Sequence, residues 1–296
     1  MLLAAPHGGV HVSLPSNSAR APGRPGEAMN SARLATLEIL SRVPAAASCT
    51  TPLLFVHGAF TGAWCWDEHF LPFFADAGFS SHALSLSGHG HSRGRAHLDS
   101  LSIADYVNDV LEVCAGLPAP PVLIGHSMGG FVVQKVLEQR AFPGAVLMCA
   151  VPPQGLMAAA FGMMFSHPGL MSDLNRLMGG GEVALDTLRE ALFAQPVAVD
   201  DLTRFYRWSQ PESHRAIWDM SLFNLPHPSK IDAASLLIQG AERDHLIPAS
   251  LVEMTARTYG RPATIFPGMG HGIMLERDWR KPAQHILDWL GEREIA

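Results

Sequence analysis

The chain has 296 residues, of which 48% are hydrophobic and 16% charged, and its formal net charge is −6 at pH 7. This length suits one large α/β domain, or one domain that carries an insertion, and the low charged fraction indicates a large buried core. A negative net charge without a long basic run excludes a nucleic-acid-binding surface.

Four widely spaced cysteines form no C-x-x-C motif, so we expect free thiols and neither a metal site nor a disulfide framework. Residues 1–28 are rich in Pro, Gly, Ser and Ala. They predict a disordered tail, because such a segment buries too little apolar area to offset its ordering entropy. The sequence shows neither a signal-peptide pattern nor an apolar run of membrane-spanning length. A cytoplasmic protein without membrane insertion is therefore expected, with Met29 as an alternative start.

Short apolar runs near the beginning predict the first strands of a sheet. Residues 34–43 predict an early strand, and residues 52–56 read P-L-L-F-V, which is typical of a parallel strand covered on both faces. A loop begins at Gly58, directly after this second run. An N–H that turns inward there would bind a negatively charged oxygen. The spacing favours the N–H of Ala59 for this role, with Phe60 as the alternative.

The next segment alternates helical and strand patterns. Aromatic residues at helical spacing run from Trp64 to Phe74 and indicate core packing. A strand at 79–86 leads into a loop with His89 and His91, where no carboxylate or cysteine stands at metal-ligand spacing. Residues 102–117 predict a helix that begins with a near capping box.

A G-H-S-M-G motif at 125–129 lies between an apolar run at 121–124 and a helical pattern at 128–140. It fits a G-x-S-x-G turn from strand to helix, which lifts a serine hydroxyl clear of the sheet. The glycines suit the points where strand and helix nearly touch. We therefore expect Ser127 to be a nucleophile. The N–H of Met128 is expected to be an oxyanion donor, because the helix dipole points to the same place.

Residues 153–227 differ from the rest in carrying many Met, Phe and Trp residues among helix-like stretches without a strand pattern. We interpret this segment as a helical cap inserted between two strands of a core that comprises 29–152 and 228–296. Flexible thioethers and aromatic rings on the inner face of such a cap would line a pocket for an apolar substrate.

Strand patterns resume at 235–239 and 261–267, and Asp244 and His271 stand in the loops that follow them. With Ser127, they would lie at the carboxyl ends of successive strands, where open α/β sheets place their active sites. A serine hydroxyl is a weak nucleophile, so His271 would take its proton. Asp244 would hold the imidazole in the required tautomer.

Residues of the same types offer alternatives to this assignment. Glu242 is a second acid, closer to its strand than Asp244. Three histidines are alternative bases that we expect to be loop or packing residues, namely His57, His126 and His245. Residues 279–291 predict a terminal amphipathic helix.

Together these motifs resemble the α/β-hydrolase superfamily, specifically its serine esterases and lipases with a helical cap. The motifs that carry the resemblance are H-G-A at 57–59, G-H-S-M-G-G at 125–130, Gly240 with Asp244 and Pro248, and G-H at 270–271. The resemblance covers roughly residues 34–292. It implies a mostly parallel, twisted sheet flanked by helices, with an inserted helical cap.

Similarity to this family assigns the nucleophile to Ser127, the acid to Asp244, the base to His271 and the oxyanion donors to Ala59 and Met128. It implies no metal or organic cofactor. The expected function is hydrolysis of small to medium-sized apolar carboxylic esters through an acyl-serine intermediate. The fold does not fix the reaction, so a carbon-carbon bond hydrolase, a cofactor-free perhydrolase and a hydroxynitrile lyase remain alternatives. A further alternative is not an enzyme at all, but a non-catalytic protein of this fold that binds a small molecule.

Overall fold

A computed structural model describes residues 36–44, 49–157 and 183–295, together with six positions between 169 and 181. The tail predicted at 1–28 lies outside the described residues. Most of the segment 158–182, which belongs to the predicted cap, also lies outside them. No helix within the described ranges combines the length and the apolar character that crossing a bilayer requires.

The described residues contain a seven-stranded sheet in the order β1-β3-β2-β4-β5-β6-β7. Its strands are β1 (Glu38–Arg42), β2 (Leu53–Val56), β3 (Ser81–Ser85), β4 (Val122–His126), β5 (Ala145–Met148), β6 (Leu236–Ala241) and β7 (Ala263–Phe266). Strand β1 pairs antiparallel with β3, and the other pairings are parallel. This confirms the predicted mostly parallel sheet, although β1 is shorter than the predicted strand at 34–43.

Helices lie on both faces of the sheet, and they explain why β2, β4 and β5 are buried along their whole length. The helices are α1 (Trp64–Asp67), α2 (Phe70–Asp76), α3 (Ile103–Gly116), α4 (Met128–Leu137), α5 (Leu185–Leu192), α6 (Val199–Trp208), α7 (His214–Trp218), α8 (Ala249–Tyr259) and α9 (Arg280–Glu292). One core cluster joins the sheet to α3, α4 and α8. A second joins its other face to α1, α2 and α9.

Local sequence signals account for several element boundaries. The Ser102 hydroxyl accepts a hydrogen bond from the Asp105 N–H at 3.2 Å, and the Asp105 carboxylate accepts one from the Ser102 N–H at 2.8 Å. This full capping box begins α3 where the sequence predicts it. The aromatic stretch forms two short helices, α1 and α2, because the backbone of His69 leaves the helical region at φ −140°.

The segment between β5 and β6 contains only helical elements among its described residues. Helices α5, α6 and α7 lie there, and a π-helical turn at Asp219–Phe223 follows α7. These helices approach the carboxyl end of the sheet, since the Gln210 N–H donates to the Phe60 carbonyl at 2.8 Å. The described part of this segment is thus in contact with the loop that follows β2.

Candidate active site

Ser127 joins the end of β4 to the start of α4 in a strained backbone conformation, with φ 52° and ψ −118°. Such a conformation costs about 1–3 kcal/mol in a residue with a side chain. Hydrogen bonds hold it in place: the Ser127 N–H donates to Met148 at 3.0 Å, and its carbonyl accepts from Phe131 and Val151 at 3.2 Å each. The Ser127 side chain is half-buried and lies at the carboxyl end of the sheet.

Glycines permit the close approach of α4 to the sheet. A Cβ on Gly129 would collide with the carbonyl oxygens of Val56 and His57 at the end of β2. A Cβ on Gly125 would lie 2.7 Å from the Cα of Gly130. The two outer glycines of the motif are therefore required by backbone contacts, as the sequence predicts.

The loop after β2 passes directly beside Ser127. A Cβ on Gly58 would lie 3.1 Å from the Ser127 Cβ. Phe60 in the same loop has a left-handed backbone, with φ 64°. Within the described ranges, the N–H groups of Ala59 and Met128 donate no hydrogen bond. Both are thus available to a substrate oxygen.

Asp244 and His271 form a buried hydrogen-bonded pair. The His271 Nδ1 lies 2.7 Å from the Asp244 Oδ2, and the side chains of both residues are almost fully buried. The other carboxylate oxygen of Asp244 accepts the N–H groups of Leu246 and Ile247 at 2.8 Å each. Since a carboxylate only accepts hydrogen bonds, Nδ1 carries a proton, and Nε2 is the nitrogen that this pairing leaves for a proton from Ser127.

The alternative acid occupies a different environment. Glu242 is exposed, and its carboxylate accepts the N–H of Gly268 at 2.8 Å. Among the described side chains, Asp244 is the carboxylate that contacts His271. The geometry therefore favours Asp244 over Glu242 as the acid.

Two of the three alternative bases, His57 and His126, are engaged in other contacts. The His57 Nδ1 donates to the Gly58 carbonyl at 2.8 Å, and its Nε2 accepts the Leu86 N–H at 3.0 Å. Burial lowers the pKa of His57 to about 3, so this ring is neutral and has no free nitrogen. The His126 Nε2 donates to the His271 carbonyl at 2.8 Å, and burial holds the pKa of His126 well below its usual range. Both rings support the loops around the site.

Cys149 contributes to the site, although no motif in the sequence indicates it. The prediction that the three site residues follow successive strands is wrong in one respect, because β5 lies between β4 and β6. Cys149 directly follows β5, and its thiol donates a hydrogen bond to Asp244. Burial and the neighbouring carboxylate raise the pKa of this thiol well above its usual range. Cys149 thus remains a neutral donor to Asp244.

Three metal-ligating side chains meet at this point. One ligand atom each of His126, Cys149 and His271 lies within 4.8 Å of the other two. The hydrogen bonds from Cys149 and His271 to Asp244, and from His126 to the His271 carbonyl, account for this proximity. We interpret the cluster as the hydrogen-bonded support of His271.

A buried contact between a histidine and a carboxylate adjoins the loop after β2. The His89 Nε2 lies 3.1 Å from the Glu212 Oε2, and both side chains are fully buried. The Tyr106 hydroxyl donates to the other Glu212 oxygen at 2.7 Å. His89 does stand in a loop, as the sequence predicts. Its pairing with a residue that follows α6 has no signal in the sequence, because 123 residues separate the two positions along the chain.

Parts of this chain are similar to known proteins. The model of the alpha/beta hydrolase family matches residues 53–283. The chain is 32% identical over 108 residues to norfluorocurarine synthase 1 of Strychnos nux-vomica, covering 35% of this chain and 40% of that protein. It is 37% identical over 89 residues to methyl jasmonate esterase 1 of Vitis vinifera, covering 29% and 33%.

These alignments span two fifths or less of the length of the two curated relatives. Among solved structures, an esterase from Exiguobacterium antarcticum superposes with a TM-score of 0.63 at 18% identity. That superposition covers 86% of this chain and 95% of the esterase. A likeness at this level of identity shows a shared fold.

Proposed function

The chain belongs to the alpha/beta hydrolase family, and from this premise we propose that it is a serine hydrolase of small to medium-sized apolar carboxylic esters. A relative that is named an esterase supports this proposal. The observation that carries the proposal is the buried hydrogen bond of 2.7 Å between Asp244 and His271, at the end of the sheet that also bears Ser127.

In the proposed reaction, the Ser127 Oγ attacks the ester carbonyl carbon while the His271 Nε2 takes the hydroxyl proton. The carbonyl oxygen becomes negatively charged in the tetrahedral intermediate. The N–H groups of Ala59 and Met128 would bind it, and each such donor is worth about 3 kcal/mol of barrier. Collapse of the intermediate expels the alcohol, which receives the proton from His271, and leaves an acyl-serine.

Water completes the cycle by the same steps. His271 takes a proton from the water molecule that attacks the acyl-serine, and then returns it to the Ser127 oxygen as the carboxylic acid leaves. Asp244 stabilises the imidazolium formed in each half-reaction. Backbone N–H groups and the Cys149 thiol donate to this carboxylate and fix its position beside His271.

Two observations support the proposed substrate class. The insertion between β5 and β6 is rich in apolar side chains, which suits an apolar acyl or aryl group. One relative is named for a methyl ester, which supports a small alcohol portion. The expected substrates are therefore apolar acids esterified with small alcohols.

The test compares hydrolysis of p-nitrophenyl esters of increasing acyl length by the intact protein, by Ser127→Ala and by the control Ser250→Ala. Ser250 is exposed on α8. We expect Ser127→Ala to lower kcat by about 10⁴-fold or more, because the nucleophile is removed, and the control to keep full activity. The preferred acyl length then measures the size of the substrate pocket.

Other outcomes point to the alternatives. If the intact protein reacts with a serine-directed phosphonate but hydrolyses no ester, the same residues serve carbon-carbon cleavage, perhydrolysis or lyase chemistry. If Ser127 fails to react with the phosphonate, the chain is a binding protein of this fold. Ester hydrolysis that survives in Ser127→Ala would rule out the serine mechanism.

A further inference from the structure

Glu276 is a buried carboxylate outside the set of residues that the proposed mechanism uses. Only 1% of the surface of Glu276 is exposed to solvent. One oxygen accepts the N–H groups of Gly270 and Ala194 at 2.7 Å each, and the other accepts the Gln195 N–H at 3.2 Å. Among the described side chains, no basic group forms an ion pair with Glu276. Its charge is therefore balanced by backbone N–H groups.

Such a group is costly to bury. Removing a carboxylate from water without a counterion disfavours the charged form, and burial accordingly raises the pKa of Glu276. A neutral glutamine at this position, or a carboxylate hydrated by water, would avoid part of this desolvation cost. The position of Glu276, between the loop that bears His271 and the end of α5, indicates what the carboxylate does.

The backbone around His271 is fixed at three consecutive residues. The Gly270 N–H donates to Glu276, the His271 carbonyl accepts from the His126 Nε2 at 2.8 Å, and the Gly272 N–H donates to the Leu192 carbonyl at 2.7 Å. These contacts leave the His271 backbone little freedom. The orientation of the His271 imidazole therefore depends on groups that lie outside the loop.

One of these contacts comes from the end of α5, and the Glu276 carboxylate links a second one to the residues that follow α5. Leu192 is the last residue of α5, and Ala194 and Gln195 follow it. The fit is close, since a Cβ on Gly270 would lie 2.7 Å from the Ala194 nitrogen and 2.9 Å from the Leu192 carbonyl oxygen. The Glu276 carboxylate thus joins the loop of His271 to the segment 192–195 of the predicted cap.

We propose that Glu276 is a positioning residue: it holds residues 192–195 against the loop that bears His271 and thereby fixes the orientation of His271. The proposal rests on the proposed function, because it takes His271 as the base. When Glu276 holds the N–H groups of Gly270 and Ala194 together, the imidazole stays within reach of the Ser127 hydroxyl. When this contact is lost, the loop and the cap segment move apart. A displacement of about 1 Å at a reacting group costs about 10²-fold in rate.

The test uses Glu276→Gln and Glu276→Ala, with Asp278→Asn as the matched control. Glutamine keeps the shape and one acceptor oxygen, but it places an N–H₂ group against a backbone N–H. Asp278 is a neighbouring acid whose partly exposed carboxylate pairs with Lys281 at 2.8 Å. The readouts are kcat and KM for a p-nitrophenyl ester, the rate of Ser127 labelling by a phosphonate, and the downfield proton resonance of the His271 Nδ1–H.

We expect Glu276→Gln to lower kcat and the labelling rate together by about tenfold or more, with KM changed by less than about threefold. The Nδ1–H resonance should shift or broaden, and Glu276→Ala should show larger effects. Asp278→Asn should match the unmodified chain in all readouts. If Glu276→Ala does not fold, Glu276→Gln decides the outcome.

Two results would overturn the proposal. One is a Glu276→Gln variant with unchanged kcat, labelling rate and Nδ1–H resonance. The other is a lower melting temperature with an unchanged labelling rate, which a purely structural role would produce. Failure of the proposed function can be distinguished from failure of this proposal, because it appears as ester hydrolysis that survives in Ser127→Ala. In that case the Nδ1–H resonance still reports whether Glu276 positions His271.

Discussion

At the scale of single residues, the turn at Ser127 shows how backbone contacts dictate residue type. A positive φ of 52° is an energetically costly backbone conformation for serine. The neighbouring glycines have no side chains, so the backbone segments can approach one another closely at this turn. A side chain on Gly129 would overlap two carbonyl oxygens of the strand end, and neither belongs to a flexible side chain. The backbone of β2 or α4 would have to move to accommodate it.

This contact predicts the outcome of a matched pair of substitutions. Gly129→Ala should abolish ester hydrolysis and lower the melting temperature, because the added methyl group separates α4 from β2. Gly291→Ala adds the same methyl group in α9, where nothing lies within 4 Å of it. That variant should be stabilised by about 0.5–1 kcal/mol. Urea unfolding and ester hydrolysis measure both, and a stable, active Gly129→Ala would contradict the structure.

At the scale of elements, aromatic packing and an ion pair both attach α6 to the region of α1. The Trp64 ring stacks on Phe205 with a centroid distance of 5.5 Å and an interplanar angle of 21°. The Arg204 guanidinium binds both oxygens of Glu68, at 2.7 and 2.8 Å. Arg204 is partly exposed, whereas Phe205 is buried. Burial therefore favours the aromatic contact as the stronger attachment.

The relative weights of the two contacts are measurable. Phe205→Ala should lower the free energy of unfolding by about 3 kcal/mol or more, because it leaves a cavity beneath α6. Glu68→Gln should lower it by about 1 kcal/mol or less, since water and salt screen a partly exposed pair. Urea denaturation of both variants at one pH gives the comparison. A larger loss for Glu68→Gln than for Phe205→Ala would show that charge attaches α6.

The helices of the segment between β5 and β6 also show the limits of local signals. Its helical character could be read from the sequence, because no strand pattern interrupts it. Its points of attachment could not. Gln210 contacts Phe60, and Glu212 contacts His89, through pairs that depend on where the segment folds back over the sheet.

At the scale of the whole molecule, buried histidines link stability to pH. Burial lowers the pKa of both His57 and His126 in the folded chain. In the unfolded chain, each of these two histidines binds a proton below about pH 6.5. In the folded chain, the His57 imidazole stays uncharged down to about pH 3. Because the unfolded state binds more protons in this window, stability falls as the pH drops below 6.5 and levels off above it.

This linkage gives a quantitative expectation. The free energy of unfolding should be lower at pH 5.5 than at pH 7.5 by about 1 kcal/mol or more, because His57 alone binds close to one more proton in the unfolded chain and His126 acts in the same direction. Urea midpoints at the two pH values measure the difference. His97 is exposed, so His97→Gln should leave the difference unchanged. Equal stability at both pH values would show that the unfolded chain takes up no additional protons.

The sequence by itself determined the features that depend on neighbours along the chain. The apolar run, the turn and the helix around Ser127 follow from spacing within about 20 residues, and the capping box at Ser102 follows from two residues. Apolar runs of four to six residues predict the parallel strands, since strands covered on both faces need apolar side chains at every position. The order of Ser127, Asp244 and His271 along the chain is also read directly from the sequence, and the family resemblance implies their roles.

Only the tertiary structure decided which distant groups meet at the end of the sheet. The placement of β5 between β4 and β6 brings Cys149 to Asp244, and the return of the chain after α5 brings Ala194 to Glu276. Neither contact leaves a period or a motif in the sequence. A buried polar group requires a partner, but strand order and loop paths determine which residue that partner is.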